Sequence, residues 1–130
     1  MGEPQTIEGL LDAARARLER LEPAEALAAT GSGALLIDTR CAELRRDDGA
    51  VPGSVHVPLS VLYWRLDPAS PHRDPSLADT RRRVILLCAH GYSSSMAAAT
   101  LLDLGYAGAT DVIGGFEAWA AAGLPVERGG

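Results

Sequence analysis

The sequence predicts an α/β fold in which a central, mostly parallel sheet of about five strands has helices on both faces. Short runs of almost continuously apolar residues, typical of strands buried inside a parallel sheet, recur along the 130 residues. Stretches with helical periodicity alternate with these runs, as expected for strands joined by crossover helices. The length indicates one domain, with an N-terminal helix over residues 1–20 packed on a domain that spans 21–130.

The N-terminal segment, residues 6–21, has the pattern of an amphipathic helix. Its apolar residues form one helical stripe: Ile7, Leu10, Leu11, Ala14 and Leu18. Such a stripe covers the core of the domain or, alternatively, makes a dimer contact, and core cover is the commoner use. A second helix is predicted over 24–29, because Pro23 is well suited to a first helical position.

Two strands and a short helix are predicted next. The apolar run 34–37 indicates a central strand, and turns at 47–49 and 51–53 precede a short strand over 54–57. Residues 58–66 are expected to form a short helix with these side chains directed inward: Leu59, Leu62, Tyr63 and Leu66.

The same short helix is expected to leave Trp64 and Arg65 near the surface. The segment that follows, 67–75, contains three prolines, which are too many for a regular element. We therefore expect an exposed loop there.

The most informative pattern is a strand, a loop and a helix in succession. The apolar run 84–87 ends in Cys88, and small helix-forming residues follow the loop, with a helix expected over 96–104. The carboxyl ends of strands are where open α/β sheets bind their ligands. Ser93 or Ser94 is expected to cap this helix at its N-terminus.

Cys88 is a candidate nucleophile. Unpaired N–H groups of the helix's first turn, together with the helix dipole, favour an anion in the loop, and the anion already present would be the thiolate. A free cysteine has a pKa near 8.5, and such surroundings lower it to roughly 7 or below. The alternative is a small apolar residue at a strand end, because free cysteines are often buried.

The last part of the chain completes the alternation. Residues 109–113 are predicted to form a strand, and Gly114 and Gly115 precede a helix over 116–122. The aromatic residues of that helix, Phe116 and Trp119, are expected in the core.

Composition argues against several classes of protein. A net charge of −5, and an Arg81–Arg83 run without interleaved aromatics, disfavour a nucleic-acid surface. Cys41 and Cys88 have neither zinc-site nor secreted-framework spacing, so reduced thiols and a cytoplasmic location are expected. No signal peptide or membrane-spanning run is recognised, and no membrane partner is expected.

No metal or organic cofactor is predicted. The three histidines are scattered along the chain, without the carboxylate partners of a metal site: His56, His72 and His90.

Four ordered pieces of the sequence, between about Leu21 and Pro125, resemble the rhodanese (sulfurtransferase) domain family. The first two are Leu36–Arg40 and Gly49–Pro58. The third is the Cys-x-x-Gly-x-x-Ser-x-x-Ala-Ala motif, which comprises Cys88, Gly91, Ser94, Ala97 and Ala98. The fourth comprises Leu104–Tyr106, Val112, Gly114, Gly115 and Trp119. The resemblance implies a single-domain rhodanese-like fold.

This resemblance implies a sulfurtransferase in which Cys88 is the catalytic residue and forms a persulfide. A small donor, thiosulfate or a low-molecular-weight persulfide, would supply sulfur to a thiol or cyanide acceptor. The loop expected to bind the persulfide comprises Ala89, His90, Gly91, Tyr92, Ser93 and Ser94. Asp38 and Arg40 would have structural roles near the site, the arginine pairing with acidic groups such as Glu43.

In the resembled fold, the loop after residue 66 lies near the catalytic loop, which makes Trp64 and Arg65 candidate substrate contacts. His72 and Arg73 are weaker candidates, because a solvated loop explains them better. Ser93 stands where the family commonly has a basic residue. Another residue, such as His90 or Arg65, would then have to balance a dianionic donor, and a low-molecular-weight persulfide or a protein donor is easier to accommodate.

Three alternatives remain open. A cysteine-based phosphatase or arsenate reductase needs an arginine six positions after the cysteine to bind its anion, and Ser94 is there instead. A non-catalytic rhodanese-like binding module would not need Cys88. Cys41 could form a disulfide with Cys88, although nothing in the spacing requires it. The chain is expected to be a monomer or a homodimer.

Overall fold

The structure of the protein, a computed structural model, describes residues 3–128. After two helices at the start, its strands and helices alternate along the chain. In order they are α1 (Ile7–Arg15), α2 (Pro23–Gly31), β1 (Leu35–Asp38), α3 (Ala42–Asp48), β2 (Val55–His56), α4 (Leu62–Leu66), β3 (Val84–Leu87), α5 (Ser93–Asp103), β4 (Thr110–Asp111) and α6 (Gly115–Ala121).

The described strands form one parallel sheet with the order β2-β1-β3-β4. β1 and β3 are central, and every residue of both is buried. The sheet has four strands rather than about five. The extra pairing at the β4 edge is limited to a single parallel bridge between Leu21 and Val112, because α2 begins two residues after Leu21.

Alternation along the two central strands creates two cores, one on each face of the sheet. One face buries Leu35, Ile37, Val84 and Leu86 against residues of α4 and α5. The other face buries Leu36, Ile85 and Leu87 against residues of α2 and α6, including Trp119. The strands therefore carry helices on both faces, as predicted.

The N-terminal helix is shorter than expected and ends at Arg15. It packs on α5 and buries Leu11 and Ala14, whereas Ile7 is 62% exposed and Leu10 is 41% exposed. The predicted stripe therefore covers the core only in part.

Helix α3 was not predicted. None of its seven residues is buried, so its sequence lacks the apolar stripe that would reveal a helix. The helix expected over 58–66 begins only at Leu62, and Leu59 and Tyr63 are half-buried rather than fully inside. Within residues 3–128, no helix has the length and apolar character needed to cross a membrane.

Candidate active site

Cys88 directly follows β3, at the carboxyl edge of the sheet, and its side chain is 5% exposed. Four residues separate it from α5, which begins at Ser93. The neighbouring strand β1 ends level with β3, because Asp38 pairs in register with Leu87. Two strand ends thus meet beside the cysteine.

The sulfur of Cys88 has two close polar partners. The N–H of Gly91 donates to Sγ at 3.1 Å, and the thiol donates to Oγ of Ser94 at 3.2 Å. Burial acts to raise the pKa of this thiol, but the hydrogen-bonding groups of Ser94, Ser93 and Gly91 lower it, so that the pKa lies below its ordinary value. The surroundings therefore favour the thiolate.

The loop needs glycine at position 91. Gly91 has a φ of +83°, and a Cβ there would lie 2.7 Å from the backbone nitrogen of Gly114. A side chain would therefore be strained by the backbone conformation and would also meet the turn before α6. The motif's glycine thus allows the loop to pack against that turn.

The prediction that Ser93 or Ser94 caps α5 is wrong. The residue before the helix is Tyr92, and no side chain caps the helix there. Ser94 lies in the first turn and is fully buried, and its hydroxyl donates to Oδ2 of Asp111 at 2.7 Å. Ser94 lies inside the helix rather than before it, and its hydroxyl makes a charge-assisted hydrogen bond to the buried carboxylate instead.

Asp111 is the centre of a buried polar cluster that sequence reasoning missed. Its carboxylate accepts hydrogen bonds from Ser94 and Ser95, both at 2.7 Å. Nε of Arg20 donates to its other oxygen at 2.8 Å. An aspartate in the middle of a predicted strand was the available signal, since a buried carboxylate needs partners.

The larger side chains of the loop lie at the protein surface. His90 and Tyr92 are exposed, and Nδ1 of His90 lies 2.7 Å from Oε2 of Glu117. Ala89 and His90 line a groove of about 360 Å³, together with Arg40 and Phe116. This groove adjoins the cysteine loop.

Asp38 and Arg40 are both buried and pair with each other at 2.8 Å. Arg40 also donates to the carbonyl of Gly49 at 2.8 Å, and its guanidinium lies 3.9 Å from the ring centroid of Phe116. The expected pairing of Arg40 with Glu43 is wrong: Glu43 lies exposed on α3, whereas Asp38 is two residues from the arginine and shares its buried site.

The second group of candidates lies elsewhere. Trp64, Arg65 and His72 line a separate groove of about 390 Å³, and none of the residues that line it comes from the cysteine loop. Nη1 of Arg65 donates to the carbonyl of His72 at 3.3 Å, and Arg73 donates to the carbonyl of Ser70. Their contact with substrate stays a prediction.

The two cysteines do not form a disulfide. Cys41 is exposed and Cys88 is buried, and both are free thiols. Among residues 3–128, no three histidine, cysteine, aspartate or glutamate side chains are grouped so as to hold a metal ion.

A parallel α/β domain with a buried cysteine held in a loop after a central strand is the arrangement that the sequence motifs predicted. The model of the rhodanese-like domain family matches residues 22–122, and the chain belongs to this family. The predicted fold class is thereby confirmed.

Two relatives are named thiosulfate sulfurtransferase GlpE. The protein from Pseudomonas savastanoi pv. phaseolicola is 35% identical over 103 residues, which cover 79% of this chain and 88% of the relative. The protein from Pseudomonas syringae pv. syringae is 36% identical over 101 residues and covers 78% and 86%. These relatives confirm the prediction of an enzyme of the sulfurtransferase class.

Solved structures agree on the fold. A Rhodopseudomonas palustris protein of unknown function, described as a possible tyrosine phosphatase, is 34% identical with a TM-score of 0.86 and covers 97% of this chain and 100% of that chain. A thiosulfate sulfurtransferase from Pseudomonas aeruginosa is 26% identical with a TM-score of 0.69 and covers 95% of this chain and 23% of that chain.

Proposed function

We propose that the protein is a single-domain sulfurtransferase that carries sulfane sulfur as a persulfide on Cys88. The observation that supports this most strongly is the setting of the sulfur: buried after β3, within hydrogen-bond distance of Gly91 and Ser94, and with a lowered pKa. A cysteine used only for packing would not need these polar partners.

The reaction has two half-reactions, as expected for covalent catalysis. The Cys88 thiolate attacks the outer sulfur of thiosulfate, the S–S bond to the sulfite group breaks, and sulfite leaves with the electron pair. The enzyme then carries Cys88–S–S⁻. A cyanide or thiolate acceptor attacks the outer sulfur, takes it as thiocyanate or a new persulfide, and releases the Cys88 thiolate.

The loop residues would stabilise both anionic forms of the enzyme. Donors fixed around a developing charge stabilise it without having to reorganise, as in an oxyanion hole. The N–H of Gly91 already donates to Sγ, and Oγ of Ser94, which accepts from the thiol, is placed to donate to the thiolate in its turn. We propose that the neighbouring donors from Ala89 to Ser93 contact the outer sulfur. Asp38 and Arg40 support this edge of the sheet.

The donor is thiosulfate or a low-molecular-weight persulfide. The relatives named thiosulfate sulfurtransferase support thiosulfate, and they share more than a third of aligned residues with this chain. Trp64 and Arg65 would contact a larger donor or acceptor that extends beyond the loop. We expect the protein to act among reduced thiols in the cytoplasm, as a monomer or homodimer, with its N-terminal helix packed on the one domain.

A phosphatase is the other activity to consider, because one similar structure carries that description. Cysteine-based phosphatases grip phosphate with two parallel hydrogen bonds from an arginine. The corresponding position, six residues after Cys88, holds Ser94, whose hydroxyl is directed at Asp111. The geometry therefore favours sulfur transfer.

Steady-state thiocyanate formation tests the proposal. With cyanide as acceptor and thiosulfate or glutathione persulfide as donor, we expect parallel double-reciprocal lines, the pattern of a ping-pong mechanism. Cys88→Ser should be inactive and Cys41→Ser fully active. Equal activity in Cys88→Ser and the parent, or hydrolysis of an aryl phosphate without sulfur transfer, would contradict it.

A further inference from the structure

The segment before the matched family domain contacts the cysteine loop. The family match begins at residue 22, whereas α1 and the turn that follows it occupy residues 7–20. Two arginines of this segment, Arg15 and Arg20, contact loop residues more than 70 positions away in the sequence.

Both arginines bind the same backbone carbonyl. Nη2 of Arg15 donates to the carbonyl oxygen of Gly91 at 2.7 Å, and Nη2 of Arg20 donates to it at 3.1 Å. Each is held by a second contact: Arg15 donates to Oγ of Ser95 at 3.1 Å, and Arg20 pairs with Asp111. The Gly91 carbonyl is thus fixed between two guanidinium groups that are themselves fixed.

The hydrogen bonds from the two arginines to the Gly91 carbonyl also fix the orientation of the peptide group between Gly91 and Tyr92. A trans peptide is planar, and its N–H points opposite to its C=O. Since the described residues contain no cis peptide, the N–H of Tyr92 points away from the two arginines when they hold the Gly91 carbonyl. The grip also fixes the backbone of Gly91, whose own N–H contacts the sulfur.

The grip also brings positive charge to a loop that has no arginine or lysine of its own. Between Cys88 and Ser94 the only basic side chain is His90, which pairs with Glu117 at the surface. One of the two arginine charges is offset by buried Asp111, so the pair leaves a net positive charge beside the loop. At the neighbouring strand end, Asp38 pairs with both Arg40 and Arg45 and offsets their charges only in part.

We infer that Arg15 and Arg20 are positioning residues of the sulfur-transfer site, which orient the loop amides and supply the positive charge that Ser93 does not. The assignment rests on the proposed role of Cys88. It means that the N-terminal segment is part of the active site and that the matched domain, 22–122, is incomplete without it.

Arg17 shows that anchoring the segment does not require these contacts. It lies between the two arginines in the sequence and pairs with Asp103 of α5 at 2.6 Å, with 46% of its side chain exposed. Arg20, by contrast, has 15% of its side chain exposed. Arg17 therefore provides a matched control that joins the same two parts of the chain without touching the loop.

The test measures the thiol of Cys88 directly. In the full chain carrying Cys41→Ser, the rate of alkylation by iodoacetamide is followed across pH for the parent, Arg15→Gln, Arg20→Gln and Arg17→Gln. Loss of either loop-binding arginine should destabilise the thiolate and raise its pKa, so that alkylation below the pKa slows about tenfold, which corresponds to one pKa unit. Arg17→Gln should match the parent, and Arg15→Lys should retain most of the effect of arginine.

Arg20→Gln leaves the buried Asp111 without its cation and can lower stability. The double variant Arg20→Gln, Asp111→Asn removes both charges and should restore part of the alkylation rate at low pH. Unchanged pH profiles in Arg15→Gln and in the double variant, with the folded state verified by circular dichroism, would overturn the inference, as would an equal shift in Arg17→Gln.

The proposed function can fail separately. If the parent is alkylated at Cys88 with a low pKa but does not take up sulfur from thiosulfate or glutathione persulfide, sulfur transfer is refuted. The effect of the arginines on the thiolate is then still decided by the pH profiles of the variants. If sulfur is taken up and the profiles are identical in all variants, only the inference about Arg15 and Arg20 is refuted.

Discussion

Each of the two central strands is followed by a cysteine and then by a helix, yet only one of these cysteines has the surroundings of a nucleophile. Cys41 follows β1 by two residues, directly precedes α3 and is exposed. Cys88 follows β3, precedes the longer helix α5 and is buried. The two sites share the same edge of the same parallel sheet.

The difference lies in the loop between cysteine and helix. α3 begins at the residue after Cys41, so no loop residues are available to surround the sulfur of Cys41. Four residues separate Cys88 from α5, and the positive φ of Gly91 turns its N–H towards the sulfur. A strand end and a helix N-terminus therefore do not suffice, and a loop long enough to surround the sulfur is also needed.

The largest expected effect comes from replacing each of the two cysteines by serine in turn. Cys88→Ser should lower sulfur transfer at least about 10³-fold, because no other group can replace a nucleophile that is covalently modified. Cys41→Ser should leave the rate within about twofold, since surface substitutions away from the site have small effects. The measurement is thiocyanate formation. A loss of similar size in both variants would show that the loop after Cys88 does not make this cysteine more important for the reaction than Cys41.

A second prediction concerns the turn of the loop. Gly91→Ala should lower the free energy of unfolding by about 3 kcal/mol, from the strain of a positive φ and the contact with the backbone of Gly114. Gly53→Ala is the matched control: its φ of +80° is similar, but open space surrounds the added Cβ, so about 1 kcal/mol is expected. Urea unfolding of both variants measures the difference, and equal losses would refute the close approach of loop and turn.

A third prediction separates the polar contacts of the sulfur from those of the buried carboxylate. Ser94→Ala removes the Oγ next to Sγ together with one of the hydrogen bonds to Asp111. We expect transfer at neutral pH to slow about tenfold, because the Ser94 hydroxyl, which accepts from the thiol, turns to donate to the thiolate, and a hydrogen bond to a charged group contributes about 1.5 kcal/mol. Ser95→Ala removes a hydrogen bond of the same length to Asp111 without touching the sulfur, and it also removes the Oγ that accepts from Arg15.

We expect Ser95→Ala to reduce stability comparably and to slow transfer less than Ser94→Ala. Thermal unfolding and transfer rates, measured on the same samples, give the comparison. A larger rate loss in Ser95→Ala would mean that the carboxylate or the Arg15 contact, rather than the hydroxyl next to the sulfur, controls the thiol.

The smallest expected effect is in pH dependence. The thiolate reacts and the thiol does not, so the alkylation rate of Cys88 rises with pH and levels off above its pKa. Since the pKa of Cys88 lies below its ordinary value, the plateau should be reached at a lower pH than for free cysteine, whose pKa is about 8.5. A profile that coincides with free cysteine would show that burial offsets the hydrogen bonds completely.

Much of this arrangement could be predicted because its signals are local. The runs that form β1 and β3 are apolar throughout, and the strand, cysteine and glycine of the loop follow each other within a few residues. The helix α3 could not be predicted in this way, since none of its residues is buried. Local patterns thus located the buried cysteine of the candidate site and missed a helix that has no apolar face.

The long-range contacts of the polar cluster behind the loop could not be predicted for a different reason. Arg15 and Gly91 are 76 positions apart, and Arg20 and Asp111 are 91 apart. An arginine on an amphipathic helix looks the same in sequence whether it faces solvent or a distant carbonyl. The packing of α1 on α5 brings Arg15 to the loop, and the parallel bridge between Leu21 and Val112 brings Arg20 beside Asp111.

The most direct test of the account is the intact mass of the protein before and after treatment with thiosulfate or glutathione persulfide. We predict a gain of about 32 Da, one sulfur atom, in the parent and in Cys41→Ser, which is removed by cyanide and does not occur in Cys88→Ser. No gain with either donor, while Cys88 remains titratable as a thiol, would contradict the persulfide mechanism and favour a non-catalytic binding module.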